Sequence, residues 1–255
     1  MIKKEKYPIL EIDDCRDALL NPEIVGKMYG RFDSDKLIIS FFKEAIQKMI
    51  DEGKLIDYKT IKGENDVKIY KFKDDGVLLI HGLIGCPATG GIMDELTGCG
   101  IRRVMFCGGG GVLDKDIGVG ELLVVEGAIR DEGFSYHYIE PSRIIYSQED
   151  MQNVICEHLD EVSIPYSKGI VWTTDAIARE TKDMVALRKS EGARIVEMEQ
   201  AGCIAVAQFR DIKYGAIIYG GDDVSGSEWD QRGWRDRKSI RYGMIELCHE
   251  IVNKM

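Results

Sequence analysis

The stretch that decides the fold is RVMFCGGGG, residues 103–111, in which a short apolar run leads into four consecutive glycines. Two other runs have the same form, VLLI at 77–80 and IIY at 217–219, and glycines follow both closely. A short continuous apolar run that ends at glycine is typical of a parallel strand buried on both faces. These runs therefore predict the central strands of a largely parallel sheet.

Helical patterns lie between these runs. Apolar residues recur three and four positions apart over 237–252, and similar but weaker patterns cover 89–99 and 199–209. Two more apolar runs, at 122–125 and 169–172, are further candidate strands. Strands that alternate with helices favour an α/β fold.

Two segments near the N-terminus add to this outline. The segment 35–53 has an amphipathic pattern that predicts one helix, with Gly53 as its end. The polar segment 62–76 carries alternating apolar residues and predicts an edge hairpin. No Pro/Ser-rich linker or internal repeat divides the sequence, so we predict a single domain over 1–255.

The composition limits the partners. A formal net charge of −10 argues against binding to nucleic acid or to an anionic membrane. The seven cysteines contain no CxxC pair, which indicates reduced thiols, and the four histidines are too far apart in sequence to suggest a metal site. The sequence contains no signal-peptide core and no apolar run of the roughly 20 residues that a membrane span needs. We expect a cytoplasmic protein.

Functional groups of open α/β sheets cluster beyond the carboxyl ends of the strands, which draws attention to VEMEQAG at 196–202. There Glu197 and Glu199 flank Met198 at the start of an alanine-rich helix. The dipole of that helix would favour the anion of Glu199, which could accept hydrogen bonds from vicinal hydroxyls, while Met198 offers a soft apolar platform for a sugar ring. The same spacing is equally compatible with two glutamates that only begin a helix.

A second pair of carboxylates, Asp222 and Asp223, follows the apolar run at 217–219. Adjacent carboxylates repel each other, so one of them could have a raised pKa and act as an acid. Because Asp and Gly are also common turn residues, a simple turn is the alternative.

Four blocks of the sequence carry a family resemblance: RVMF…YIEP at 103–141, TTDAIARE at 173–180, VEMEQAGCIAVA at 196–207 and IIYGGDD at 217–223. In order and separation they resemble the trimeric and hexameric nucleoside phosphorylase superfamily, which includes purine nucleoside phosphorylases, uridine phosphorylases and hydrolysing relatives. The resemblance covers roughly residues 77–252.

The resemblance implies a three-layer α/β/α sandwich whose mixed central sheet is partly barrel-like. It implies a nucleoside phosphorylase that cleaves a purine-type ribonucleoside or deoxyribonucleoside with phosphate, giving free base and the sugar 1-phosphate. The bond would break towards an oxocarbenium-like sugar. Inorganic phosphate would be a co-substrate, with no cofactor and no metal, and the protein would be a homo-oligomer, either a dimer or a hexamer.

The resemblance also implies roles for single residues. Glu199 would bind the ribose hydroxyls, with Met198 packed on the ribose and Glu197 supporting both. Asp222 would protonate the leaving base, because general acid help turns a purine into a good leaving group. Arg237, at the start of the last helix, resembles an arginine that assists this acid.

Arg16 and Arg103 fall where the family holds phosphate with arginines. The phosphate site departs from the family pattern, because Phe106 takes the place of a hydroxyl residue and Asp14 would repel a dianion. A water nucleophile helped by a carboxylate within 11–14 is the competing interpretation, which would make the protein a nucleoside hydrolase.

The base pocket departs as well, because Ile177 takes the place of the aromatic residue that usually stacks on the base. The Gln and Arg with which uridine-specific members read the pyrimidine fall near Thr181 and Asp183 here, so a purine is favoured over uridine, mainly on Asp222. A uridine phosphorylase and a non-catalytic nucleoside-binding protein remain alternatives. Relative to compact members, 35–53 is expected to be a helical insertion.

Overall fold

The computed structural model describes residues 2–255, which form one mixed sheet with helices on both of its faces. The strands are β1 (Lys36–Ser40), β2 (Leu55–Ile61), β3 (Val67–Phe72), β4 (Leu78–His81), β5 (Arg103–Val112), β6 (Leu122–Asp131), β7 (Ile144–Tyr146), β8 (Tyr166–Thr174), β9 (Ala193–Glu197) and β10 (Lys213–Asp223). The helices are α1 (Pro22–Tyr29), α2 (Lys43–Asp51), α3 (Cys86–Gly98), α4 (Glu149–Glu161), α5 (Lys182–Ser190), α6 (Gln200–Arg210) and α7 (Lys238–Lys254). Within residues 2–255, no helix has both the length and the apolar character needed to cross a membrane.

The order of the strands is β10-β6-β8-β9-β5-β1-β4-β3-β2, with β7 beside β6. Strand β5 also pairs with β10, so five strands close into a small barrel and the remaining strands extend from it as an open sheet. The pairs β1–β4, β1–β5, β5–β10, β6–β8 and β8–β9 are parallel, whereas β5–β9 and β6–β10 are antiparallel. The mixed, partly barrel-like sheet expected from the sequence is therefore confirmed.

Strand β5 shows how the sequence builds the three layers. Val104 and Phe106 belong to the core on the side of α3 and α6, whereas Met105 and Cys107 belong to the core on the side of α2, α4 and α7. All four side chains are at most 1% exposed. Both faces of the strand are covered by helices, which is why its apolar run is continuous rather than alternating.

The prediction of one helix over 35–53 is wrong in its first part. Residues Lys36–Ser40 are strand β1, which lies between β4 and β5 in the sheet, and the helix α2 begins only at Lys43. The run KLIIS is buried on both faces, and a short buried run fits a helical stripe and a strand equally well. The segment is therefore a strand of the central sheet followed by a helix, not a helical insertion.

The glycines 108–111 do not end strand β5 but continue it to Val112. A Cβ atom on Gly109 would lie 2.7 Å from the Tyr219 ring, and one on Gly110 would lie 2.4 Å from Ile195. Only glycine lets β5 approach its neighbours this closely where the barrel closes.

The edge hairpin expected at 62–76 is formed by β2 and β3 together. Val67–Phe72 is β3, which pairs with β2 on one side and with β4 on the other. The outer edge strand is therefore β2, which the sequence pattern did not single out, and the hairpin begins before residue 62.

Candidate active site

A cavity of about 290 Å³ opens where β5, β9 and β10 meet. The glycines 108–111 lie along it, the segment Glu197–Glu199 forms one side, and Asp222 and Ile177 line it from two further segments. The structure thus brings together five of the residues singled out from the sequence, on elements that are far apart in the chain. The cavity lies along the carboxyl-terminal halves of β5 and β10, the side of an α/β sheet where functional groups are expected.

Glu197 is buried and holds the start of helix α6. Its Oε2 accepts hydrogen bonds from the backbone N–H groups of Glu199 at 2.6 Å and Gln200 at 2.8 Å, and the hydroxyl of Thr173 donates to its Oε1. Burial and the nearby Glu199 raise the pKa of Glu197, whereas these three donors favour its charged form. Its contacts make Glu197 a support for its neighbour, as the sequence suggested.

Glu199 is the N-cap residue of α6 and is also buried. The backbone N–H of Gly85 donates to its Oε1 at 2.7 Å, the backbone N–H of Met198 also interacts with the carboxylate, and within residues 2–255 no side chain donates to its Oε2. Gly85 has φ +95°, a conformation that favours glycine and that directs this N–H to the carboxylate. Burial raises the pKa of Glu199. One oxygen is therefore fixed by the protein, and the other is available in the cavity.

Met198 lies between the two glutamates, lines the cavity and is half-buried. It can provide the apolar platform expected from the sequence. Ile177 also lines the cavity, but 68% of it is exposed, so it lies at the mouth rather than deep inside.

Asp222 is held from the loop that follows β10. The indole N–H of Trp229 donates to Asp222 Oδ2 at 2.6 Å. The loop returns to the strand through two backbone hydrogen bonds between Asp223 and Asp230, at 2.8 and 3.0 Å. Nothing in the polar sequence of this loop indicated that its tryptophan would contact Asp222.

Glu180 is a further carboxylate of the cavity that the sequence reasoning missed, although it ends the block TTDAIARE. It is half-buried and lies near enough to Asp222 for the two charges to interact. Burial and this neighbouring carboxylate raise the pKa of Glu180 to about 7. A carboxyl group that has no cation beside it is available for N–H donors of a ligand.

The wall of the cavity beside the glycines is aromatic. The rings of Phe41 and Phe106 lie 5.4 Å apart, and Phe42 and Trp234 extend the surface. Phe106 thus contributes an apolar ring, which cannot donate a hydrogen bond to an anion.

Arg241, not Arg237, is the arginine of the last helix that lines this cavity. Arg237 precedes α7 and is exposed, whereas Arg241 lies one turn later and forms an ion pair with Glu44. The Arg241 guanidinium also lies 4.8 Å from the centre of the Phe42 ring. Arg237 does not line the cavity, so its assistance to Asp222 stays a prediction, and Arg241 is the arginine of α7 on the cavity side.

Arg16 and Arg103 do not line the cavity. Arg103 lies at the start of β5, the end opposite the glycines, where its guanidinium pairs with Asp35 at 2.7 Å. Arg16 is exposed and pairs with Asp211 at 2.6 Å. The two arginines therefore do not form a phosphate site next to Glu199 within one chain. The carboxylates within 11–14 do not line the cavity either.

This placement predicts that Arg103→Ala leaves the turnover number and the KM for nucleoside and for phosphate unchanged. The pair with Asp35 is partly exposed, so its loss is expected to lower the free energy of unfolding by at most about 1 kcal/mol. Steady-state kinetics and urea unfolding measure the two effects. A clear rise in the KM for phosphate would show that Arg103 does bind phosphate.

The sequence model that describes the phosphorylase superfamily matches residues 35–241 of the chain. This range includes β1 and α2 as well as the cavity. The chain belongs to the phosphorylase superfamily, a class of enzymes, as the resemblance indicated.

Individual relatives have low sequence identity to this chain, between 19% and 25%. The chain is 25% identical to a guanosine phosphorylase from Halorubrum lacusprofundi over 175 residues, which are 68% of this chain and 73% of the relative. The crystal structure of uridine phosphorylase from Vibrio fischeri ES114 is similar with a TM-score of 0.72 and 20% identity, over 87% of this chain and 93% of that one. The futalosine hydrolase of Helicobacter pylori strain 26695 is similar with a TM-score of 0.69 and 19% identity, over 86% of this chain and 97% of that one. The two solved structures have the same fold as this chain.

Proposed function

We propose that this protein cleaves the N-glycosidic bond of a purine ribonucleoside. The observation that carries the proposal is that the free oxygen of Glu199 and the carboxyl group of Asp222 line one cavity, with Met198 between the glutamates. One carboxylate would bind the sugar and the other would act on the base. This is the pair of functions that a glycosidic cleavage needs.

At the sugar end, Glu199 Oε2 accepts hydrogen bonds from the ribose hydroxyls, and Met198 packs against the ring. As the bond to the base lengthens, positive charge develops on the ribose. The buried carboxylates next to it stabilise this charge, and they do so strongly because the site is shielded from water.

At the base end, Asp222 gives its proton to a ring nitrogen of the purine while the electrons of the glycosidic bond move into the base. General acid catalysis of this kind typically contributes about 10²–10⁴-fold to the rate. Glu180 adds specificity, because its carboxylate can accept hydrogen bonds from the N–H groups of guanine or hypoxanthine. Adenine presents an unprotonated N1 there, so guanosine and inosine are the favoured substrates when Glu180 is ionised, which is above about pH 7.

The nucleophile that completes the reaction is phosphate in the first candidate, which makes the protein a nucleoside phosphorylase. The support is the similarity to the guanosine phosphorylase of Halorubrum lacusprofundi. Phosphate would attack C1′ of the ribosyl group and give ribose 1-phosphate.

Water is the second candidate, and the charges of the cavity favour it. Four carboxylates line the cavity (Glu180, Glu197, Glu199 and Asp222). The one cation among its lining residues, Arg241, is already paired with Glu44. A phosphate dianion would enter a cavity rich in carboxyl groups whose one lining cation is already paired, whereas water is neutral. Phosphorolysis would therefore need cations from outside this cavity, such as those of a second subunit in a homo-oligomer.

The test is to incubate the protein with guanosine, inosine and adenosine, with and without phosphate. We expect free guanine and hypoxanthine, and slower release of adenine. Ribose 1-phosphate that appears only with phosphate selects the phosphorylase, and free ribose without phosphate selects the hydrolase. If no free base forms in any of these mixtures, the proposed function is wrong.

A further inference from the structure

Trp229 makes an unusual contact for an exposed side chain. Its indole N–H donates to Asp222 Oδ2 at 2.6 Å, although 58% of the residue is exposed. Trp172 makes the same type of bond, to Asp131 Oδ2 at 3.0 Å, but it is 1% exposed and packed in the core. Core packing fixes Trp172, whereas Trp229 belongs to none of the core clusters of residues 2–255.

The loop that carries Trp229 is built to hold it beside Asp222. The two backbone hydrogen bonds between Asp223 and Asp230 join the residue after Asp222 to the residue after Trp229. Asp223 also accepts from the backbone N–H of Ser225 at 2.7 Å, which begins the turn. These backbone hydrogen bonds therefore hold Trp229 next to the end of β10, which carries Asp222.

We propose that Trp229 is a positioning residue for the reaction, which fixes Asp222 by one oxygen and stabilises the negative charge that develops on it. The inference rests on the proposed function. When Asp222 passes its proton from Oδ1 to the purine nitrogen, it becomes a carboxylate, and the indole N–H already points at its Oδ2. A donor fixed in advance stabilises a developing charge without reorganisation.

The surroundings of Asp222 make this donor valuable. Glu180 lies close enough for its charge to interact with that of Asp222, so a charged Glu180 opposes a second negative charge there. Among residues 2–255, Trp229 is the side chain that donates a hydrogen bond to Asp222. The N–H therefore compensates for the repulsion between two carboxylates in one cavity.

The variant that isolates the N–H is Trp229→Phe, which keeps an aromatic ring. A hydrogen bond to a charged group corresponds to about tenfold or more, so we expect kcat with guanosine to fall about tenfold with little change in KM. Without the donor, the carboxylate that forms on Asp222 during proton transfer is less stable, so the loss should appear in kcat. The base of a purine nucleoside methylated at N7 leaves without taking up a proton. The rate of its cleavage should therefore be the same in the wild type and in Trp229→Phe.

The matched control is Trp172→Phe, which removes the indole N–H from Asp131 instead. It is expected to lower the melting temperature and to leave kcat with guanosine unchanged. The inference is wrong if Trp229→Phe keeps the wild-type kcat with guanosine. It is also wrong if the variant loses the same factor with the N7-methylated substrate, because the ring would then act only through packing.

A readout independent of activity separates this inference from the proposed function. In an NMR spectrum, the indole N–H signal that is missing in Trp229→Phe should shift in Asp222→Ala, which removes its acceptor, and should stay constant in Asp223→Asn. A signal that does not respond to Asp222→Ala overturns the contact, whether or not the protein cleaves nucleosides. Absence of base release together with a responding signal overturns the proposed function alone.

Discussion

Replacing Asp222 by asparagine is expected to lower kcat with guanosine and inosine by about 10²–10⁴-fold. The amide oxygen of Asn can still accept the hydrogen bond from Trp229, and its size is nearly unchanged, so the loop should keep its conformation. What disappears is the proton that the leaving base needs. The melting temperature should therefore stay close to that of the wild type.

The control for this variant is Asp223→Asn, the carboxylate next in sequence. Asp223 accepts from the Ser225 backbone N–H, a bond that an amide oxygen can also accept, and it does not line the cavity. We expect it to retain activity. Wild-type turnover in Asp222→Asn, or a loss of the same size in both variants, would remove Asp222 from the role of acid. Substantial recovery with an N7-methylated nucleoside would support the role directly.

Glu199→Gln is expected to lower kcat/KM by about 10²–10³-fold, the range typical of losing one fixed electrostatic partner of a transition state. The Gln oxygen can keep the bond from the Gly85 N–H, so helix α6 should still begin correctly. The NH₂ group then faces the cavity, where it cannot accept from ribose hydroxyls and offers no charge to the developing oxocarbenium ion. Kinetics with guanosine measures the loss.

The same variant should be more stable than the wild type at neutral and alkaline pH. Burial raises the pKa of Glu199 above its ordinary value of 4.5. The stability that this group contributes is therefore fully present below pH 4.5 and is lost as pH rises through the raised value. Glutamine does not titrate, so the difference in free energy of unfolding should grow with pH. Urea unfolding at pH 5 and pH 8 measures it.

Glu132→Gln is the matched control for the loss of activity. Glu132 is buried like Glu199 and accepts a backbone N–H, from Ser135 at 2.9 Å, but it does not line the cavity. It is expected to leave kcat/KM near the wild-type value. If Glu199→Gln is no more impaired than Glu132→Gln, Glu199 does not bind the ribose.

The sequence could predict those parts of the site that are formed by residues close together in the chain. Glu197, Met198 and Glu199 lie in one short block at a strand-to-helix junction, so a single local pattern contains the two carboxylates, the platform and the helix that positions them. Asp222 was found in the same way, at the end of a strand with a strong apolar run.

The parts that could not be predicted depend on how distant segments meet. Trp229 and Glu180 reach Asp222 from two loops whose paths follow no periodic pattern. The phosphate-binding role of Arg103 was inferred from its place in a motif, but its side chain turns to Asp35, 68 positions away. The same limit applies to the prediction of β1, because a five-residue apolar run is compatible with either a strand or one face of a helix.

The glycine run of β5 has a consequence for how this enzyme could acquire other substrates. Residues 108–111 line the cavity with backbone alone, and a Cβ atom on Gly110 would lie within 2.5 Å of the carbonyl oxygen of Val196. That side of the cavity cannot vary without opening the barrel. New specificities would therefore have to come from the loops that carry Glu180 and Trp229, where side chains can change while the strands around the cavity stay constant.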